Sequence, residues 1–243
     1  MFLVYLEAMI EQRLRQVTER ITAAASRAGR DSAAVRLMAV TKTHPRSMVD
    51  QVLRTGVRLL GENRVQEAAA KFEQDGAVAG GERGYELHLI GHLQRNKATR
   101  AARLFDAVQS IDKVATAQAL SDAWPRADEP LRLLLELNTS GEAQKHGCRD
   151  TEELLRIHDQ VAQLPGILVC GLMTMAPFTP ERDRVRDCFR RARNAFERLA
   201  ARDPAVTTLS MGMSGDYEIA IEEGTTLIRV GSALLGPRQQ SDQ

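Results

Sequence analysis

Apolar positions follow two alternating rhythms along the chain. Between about residues 7 and 28, Ile10, Leu14, Val17 and Ile21 recur at three- and four-residue steps, the spacing of one helix face, and Gly29 supplies a stop. Residues 35–40 are then apolar or β-branched at nearly every position, as in a strand covered on both faces. Pro45 ends that ladder and biases His44 toward an extended backbone, so Lys42 falls at or just past the strand's C-terminal end. The same alternation predicts further strands at 57–60, 86–90, 107–110, 131–137, 167–170, 208–211 and 227–230. Between them helices are predicted at 48–55 capped by Ser47, 65–72, 98–104, 112–124, 152–163 capped by Thr151, 180–201 and 217–223. Residues 77–84 are glycine-rich and 125–130 carry two prolines, so both read as connections.

Strands thus alternate with helices about eight times, with no domain-scale linker. That predicts an α/β protein: a single (β/α)8 TIM barrel with an extra N-terminal helix. One domain is expected over 1–243, with 1–34 packed on a barrel core of 35–236. A doubly wound open sheet is the alternative, but no GxGxxG run follows an early strand.

Composition narrows the function classes. The 243 residues are 43% hydrophobic and 27% charged, as in an ordinary folded soluble chain. A formal net charge of +1 gives no global argument for binding nucleic acid or an anionic membrane. Cys148, Cys170 and Cys188 form no CxxC pair, which predicts free thiols in a reducing compartment. No apolar run approaches the ~20 residues of a membrane span. The apolar start, Met1 to Leu6, lacks a basic flank and is expected to be a first helical turn rather than a signal peptide.

In a barrel every strand hands a group to one rim. Lys42, Glu62 with Asn63, His92 with Asn96, Asn138 and Met173 follow strands one, two, three, five and six. Lys42 alone could be an ion-pair partner, a phosphate ligand or a Schiff-base amine. Strand seven runs into Ser210-Met211-Gly212-Met213-Ser214-Gly215-Asp216, and strand eight into Arg229-Val230-Gly231-Ser232. Loops after strands seven and eight, with a short helix starting near Asp216, are where such barrels bind phosphate; simple turn glycines are the alternative. Arg229, inside strand eight, needs a partner if it points inward. Either it forms a core salt bridge, with Glu218 or Glu222, or it faces the ring of a phosphate-bearing ligand. An amine, a phosphate cradle and a ring contact together are the needs of pyridoxal 5'-phosphate (PLP).

Several runs resemble the PLP homeostasis protein family, related in fold to the alanine racemase barrel. They include Ala39-Val40-Thr41-Lys42-Thr43, Gly61-Glu62-Asn63-Arg64-Val65-Gln66-Glu67 and His88-Leu89-Ile90-Gly91-His92-Leu93-Gln94-Arg95-Asn96-Lys97. Gly171-Leu172-Met173-Thr174-Met175, Leu209-Ser210-Met211-Gly212-Met213-Ser214 and Ile228-Arg229-Val230-Gly231-Ser232-Ala233-Leu234-Leu235-Gly236 complete the match. His92 and Ser232 depart mildly, where many relatives have proline and threonine. The resemblance implies that Lys42 carries PLP as a reversible Schiff base. It also implies that Ser214, Gly231 and Ser232 hold the phosphate with Ser210 nearby, and that Arg229 lies against the pyridine nitrogen. Asn63 and Met173 complete the expected cofactor site.

A cation beside that nitrogen disfavours its protonation and weakens the ring as an electron sink. Racemases add a β-domain and a tyrosine base; Tyr5, Tyr85 and Tyr217 are the only tyrosines here, and none has that context. The expectation is a cytoplasmic, monomeric PLP holder without established turnover, serving PLP homeostasis and possible transfer to PLP-dependent apo-enzymes. The alternative is a racemase-like PLP enzyme. A Schiff-base aldolase and a nucleic-acid binder using Arg95, Lys97, Arg100 and Arg103 are competing readings; that basic run reads better as a solvated helix face. Met173, Met175, Met211 and Met213 are expected to pack on the cofactor, His88 to pack by strand three, and His146 and His158 to lie on the surface. No histidine pair has metal spacing, so no metal is expected.

Overall fold

A computed structural model describes residues 2–75, 83–125, 129–142 and 144–236, with side chains from residue 7 onward. Most of the predicted 77–84 loop, and the middle of the 125–130 turn, lie outside the described residues. Eight strands form: β1 (Arg36–Val40), β2 (Leu59–Glu62), β3 (Glu86–Leu89), β4 (Ala107–Ile111), β5 (Leu131–Glu136), β6 (Ile167–Met173), β7 (Thr208–Met213) and β8 (Leu227–Val230). They pair in sequence order, all parallel, and β8 closes on β1 with Arg36 opposite Leu227 and Ala39 opposite Val230. The predicted (β/α)8 barrel is therefore the observed fold. Closure abolishes exposed sheet edges and puts every strand's C-terminal end on one rim.

The helices are α1 (Phe2–Arg27), α2 (Arg46–Arg54), α3 (Val65–Phe72), α4 (Ala98–Leu104), α5 (Val114–Ala123), α6 (Thr151–Val161), α7 (Arg182–Arg202), α8 (Tyr217–Glu222) and α9 (Ser232–Leu235). Two expected caps move by one or two residues. Pro45, not Ser47, precedes α2, its fixed φ preset for helix entry. Asp150, not Thr151, caps α6 by accepting the Glu153 N–H at 2.7 Å. The four-residue α9 is too short to leave a periodicity and was not predicted.

Apolar packing falls in two places. The larger cluster fills the space between strands and helices, and includes Phe72, Phe105, Phe189, Leu133 and Ile228. A smaller one, Met38, Val40, Leu59, Ile90 and Leu227, is separate and supplies two wall residues, Val40 and Ile90, to the rim cleft described below. The α1 face formed by Ile10, Val17, Ile21, Ala24 and Ala25 is buried against α2, α8 and α9. Its polar side is tied down by Arg20 and Arg27, which pair with Glu218 and Glu222. Arg186 of α7 takes Glu222 and Glu223. The two glutamates expected as salt-bridge partners of Arg229 are thus committed outside the barrel, and Arg229 finds other partners.

Candidate functional site

Lys42 stands two residues beyond β1, in the turn Thr41-Lys42-Thr43. That turn is held by a partly buried polar knot. The Lys71 ammonium, on α3, donates to the Thr41 carbonyl at 2.9 Å, to Glu62 Oε1 at 2.9 Å and to Glu67 Oε1 at 2.7 Å. Thr41 Oγ1 donates to Glu62 Oε1 at 2.7 Å, and the Thr43 N–H donates to Glu67 Oε1. Thr43 sits at φ +66°, a left-handed conformation that a β-branched residue adopts only when its surroundings impose it. Burial pushes the Glu62 carboxyl above its ordinary pKa, with Lys71 and Thr41 only partly pulling it back. Burial also pushes Glu67 up, but Lys71 and the Thr43 N–H outweigh it and leave it below the usual range.

Lys42 lines a cleft of about 350 Å³ at the C-terminal mouth of the barrel. Asn63, Ser214, Arg229, Gly231 and Ser232 line the same cleft, so six of the eight residues expected there are brought together. Asn63 reaches it because Gly91 has no side chain: a Cβ there would sit 2.2 Å from the Asn63 carbonyl oxygen. Val40, Ile90, Met175, Met213 and Phe178 supply the apolar walls. His44 and Asp216 also line it, and sequence reasoning did not select them. Their signal was slight, one histidine before a proline and one aspartate after a glycine.

The loops after β7 and β8 meet at Ser214. Its Oγ accepts the Gly231 and Ala233 N–H groups, each at 3.2 Å. With both acceptor positions engaged, its own proton is left to donate outward. The glycines here divide by cause. Gly212, at φ +93°, is structural: a Cβ would lie 2.6 Å from the Ala220 Cβ. A Cβ at Gly215 would meet nothing within 4 Å, and one at Gly231 would make only ordinary contact with Val40 at 3.5 Å. Neither is demanded by internal packing, yet both border the cleft.

Arg229 is 3% exposed. Its Nη1 donates to Ser210 Oγ at 2.7 Å and its Nη2 to the Thr174 carbonyl at 2.8 Å. Burial lowers its pKa to about 10, opposed by the charges of Asp216 and Glu136, so it stays a cation at neutral pH. Ser210 and Met173, expected in the site, are buried and do not line the cleft. Ser210 is fully buried and donates on to Gln109 Oε1 at 2.7 Å, whose Nε2 meets His88 Nδ1 at 2.9 Å. His88, pushed down by burial, accepts there as a neutral ring and turns Nε2 toward Glu86 at 3.4 Å. A polar chain therefore runs from Arg229 through the barrel to Glu86 at the opposite end. Glu136, at the end of β5, is driven up to about 7 by burial and by the charge of Asp112.

Other expectations divide in the same way. Met175 and Met213 border the cleft, while Met173 and Met211 are core residues. Asn138 latches its own loop, donating to the Glu142 carbonyl at 2.9 Å. His158 is buried and meets Asp203 Oδ2 at 3.0 Å, contrary to the expected surface position; its partner lies 45 positions along the chain, past α7, where local pattern does not reach. Among the described residues no helix is long and apolar enough to cross a membrane.

The family described as "Alanine racemase, N-terminal domain" matches residues 13–239. The pyridoxal phosphate homeostasis protein of Vibrio cholerae is 36% identical over 232 residues, covering 96% of this chain and 98% of its own. A crystal structure of an unknown protein from Bifidobacterium adolescentis superposes with a TM-score of 0.86 at 34% identity, covering 95% of this chain and 96% of that one. PipY of Synechococcus elongatus, in a structure described as having PLP bound, superposes with a TM-score of 0.76 at 32% identity, covering 93% and 100%. The chain belongs to the alanine racemase N-terminal domain family and, within it, to the pyridoxal phosphate homeostasis proteins.

Proposed function

We propose that this chain binds PLP at the rim cleft, with Lys42 as its amine partner, and serves intracellular PLP homeostasis rather than turnover. The observation that carries this reading is the convergence of Lys42, the Ser214–Gly231 turn and Arg229 on one cleft. The residues fit the group. A phosphate needs outward-facing donors, and the Ser214 hydroxyl, its oxygen already held by the Gly231 and Ala233 N–H groups, has its proton free to supply one. It needs space, and Gly215 and Gly231 leave it where a side chain would intrude. When bound, PLP supplies an aldehyde that reacts reversibly with an unprotonated amine.

The protein's own residues bind and orient. The knot of Lys71, Glu62 and Glu67 fixes the turn that aims Lys42. Asn63 and the apolar walls at Val40, Ile90 and Met213 limit water at the mouth. Arg229, held by Ser210 and the Thr174 carbonyl, presents a fixed cation that disfavours a proton on a basic ring nitrogen beside it. The absence of a tyrosine along the cleft among the described residues supports binding over racemisation. Tyr85 donates to Asp75, and Tyr217 is buried under the Arg20 guanidinium.

The three cysteines, free in the structure, support a reducing cytoplasmic setting. We read the chain as a monomer that hands PLP to apo-enzymes. Titrating the apo protein with PLP, followed by visible absorbance and calorimetry, tests the reading. One saturable site is expected, weakened by Ser214→Ala and stripped of its absorbance change by Lys42→Ala. Absence of saturable binding would sink it, and measurable amino-acid racemisation would replace it with the enzyme reading.

A further inference from the structure

We propose that His92, Asp112 and His146 form a binding site for a divalent transition-metal cation of the zinc class, on the same rim as the cleft but outside it. Each residue offers one ligand atom, and the three atoms lie within 4.8 Å of one another. None of the three borders the PLP cleft. The site joins three consecutive barrel loops: His92 follows β3, Asp112 follows β4 and His146 lies between β5 and α6. The histidines are 54 positions apart (146 − 92), which is why no sequence spacing betrayed them.

Two imidazoles and a carboxylate suit a borderline cation, with further positions left for water or an exogenous ligand. A tetrahedral zinc site places neighbouring ligand atoms about 3.4 Å apart, from bonds of about 2.0–2.1 Å. Closing to that requires at least one imidazole to rotate about its side-chain torsions out of the stacked pair, so that its in-plane lone pair turns toward the cation. Both histidines are exposed and can turn, and their exposure is also the entry path.

A second observation supports a cation-binding role. Asp112 Oδ1 is buried and has no hydrogen-bond partner. Its other oxygen accepts the Gly147 N–H at 3.3 Å, which orients the carboxylate as an outer partner does at metal sites. The two imidazoles already meet, stacked with centroids 3.7 Å apart and planes 10° from parallel. Their backbones are fixed by neighbouring glycines. Gly147, at φ +113°, would put a Cβ 2.8 Å from the Asn138 nitrogen, and Gly91 accepts a hydrogen bond from Ser110 Oγ at 2.7 Å. The loop paths that carry the two rings together are therefore built into the fold. A bound cation would link the β5–α6 loop to the two preceding ones.

The full-length, tag-free protein, treated with chelator, is titrated with zinc chloride by calorimetry and with cobalt(II) by visible absorbance. The expected result is one equivalent per chain, with affinity falling at least about tenfold, or about 1.4 kcal/mol, in His92→Ala/His146→Ala. Asp112→Asn, nearly isosteric, reports independently should the double variant fail to fold. PLP binding by the double variant stays at the parent level, which separates this inference from the reading of the cleft. Wild-type protein that binds no zinc saturably, or variants that bind it as the parent does, would overturn the proposal.

Discussion

Replacing Lys71 by methionine tests how Lys42 is aimed. The substitution keeps the length and apolar stem of the side chain and removes its charge. Lys71 is 10% exposed and Glu62 is fully buried, so the pair is a buried one. Breaking such a pair from one side typically costs about 3–5 kcal/mol, because the surviving charge is left uncompensated. Glu62 would keep only the Thr41 hydroxyl, its Oε2 already lacking a partner.

The cost has a pH signature. Burial already raises the Glu62 pKa in the folded state, and without Lys71 it rises further. A carboxyl with a raised folded pKa penalises folding only where it must ionise, so the penalty is absent below the unfolded value of about 4.3. Glu67, lowered partly by Lys71, loses its stabilisation in the same variant, again only above its unfolded pKa. Both effects make Lys71→Met most damaging near pH 7.5 and mildest near pH 4.5. Urea denaturation at the two pH values measures it. PLP affinity should fall too, since the Thr41 carbonyl loses its anchor, and Glu62→Gln added to Lys71→Met should restore part of the stability. A loss below about 1 kcal/mol at pH 7.5, or one equal at both pH values, would refute the reasoning.

Ser210→Ala removes the buried acceptor of Arg229 Nη1 and should cost about 1.5–3 kcal/mol, seen as a Tm lowered by about 2–4 °C per kcal/mol, together with weaker PLP binding. Gly212→Ala should destabilise by about 1–3 kcal/mol from backbone strain alone, with more from its clash with Ala220. Gly215→Ala, by contrast, should leave urea stability within about 0.5 kcal/mol while lowering PLP affinity in a titration, since its methyl enters open space at the cleft. Glu136→Gln should stabilise the protein at pH 8.5 by roughly 3 kcal/mol, the equivalent of a pKa raised from 4.5 to about 7, and by nothing at pH 4; denaturation across that range checks it.

The barrel was legible because each strand is short, apolar and closed by a punctuating residue. Pro45 after β1 and Gly91 after β3 mark strand ends by chemistry that holds regardless of tertiary context. The cleft-lining residues were legible for the same reason: Lys42, Ser214 and Gly231 sit where a barrel strand must release its chain to the rim. What escaped was set by distance in sequence. Nothing in the neighbourhood of Arg229 names Thr174 or Ser210 as its partners, and local pattern pointed to Glu218 and Glu222, which α1 claims through Arg20 and Arg27. Ser210 was expected near the phosphate but faces the barrel interior, where it accepts from Arg229 and donates to Gln109. The meeting of His92 with His146 depends on two loops from different strands and left no local trace.

The most direct measurement is to incubate the protein with PLP, reduce with borohydride, digest, and map the pyridoxyl mass by tandem mass spectrometry. A single modification on the peptide carrying Lys42, absent from Lys42→Ala, is the predicted result. Modification spread over surface lysines, or concentrated on another lysine, would contradict the assignment of the site.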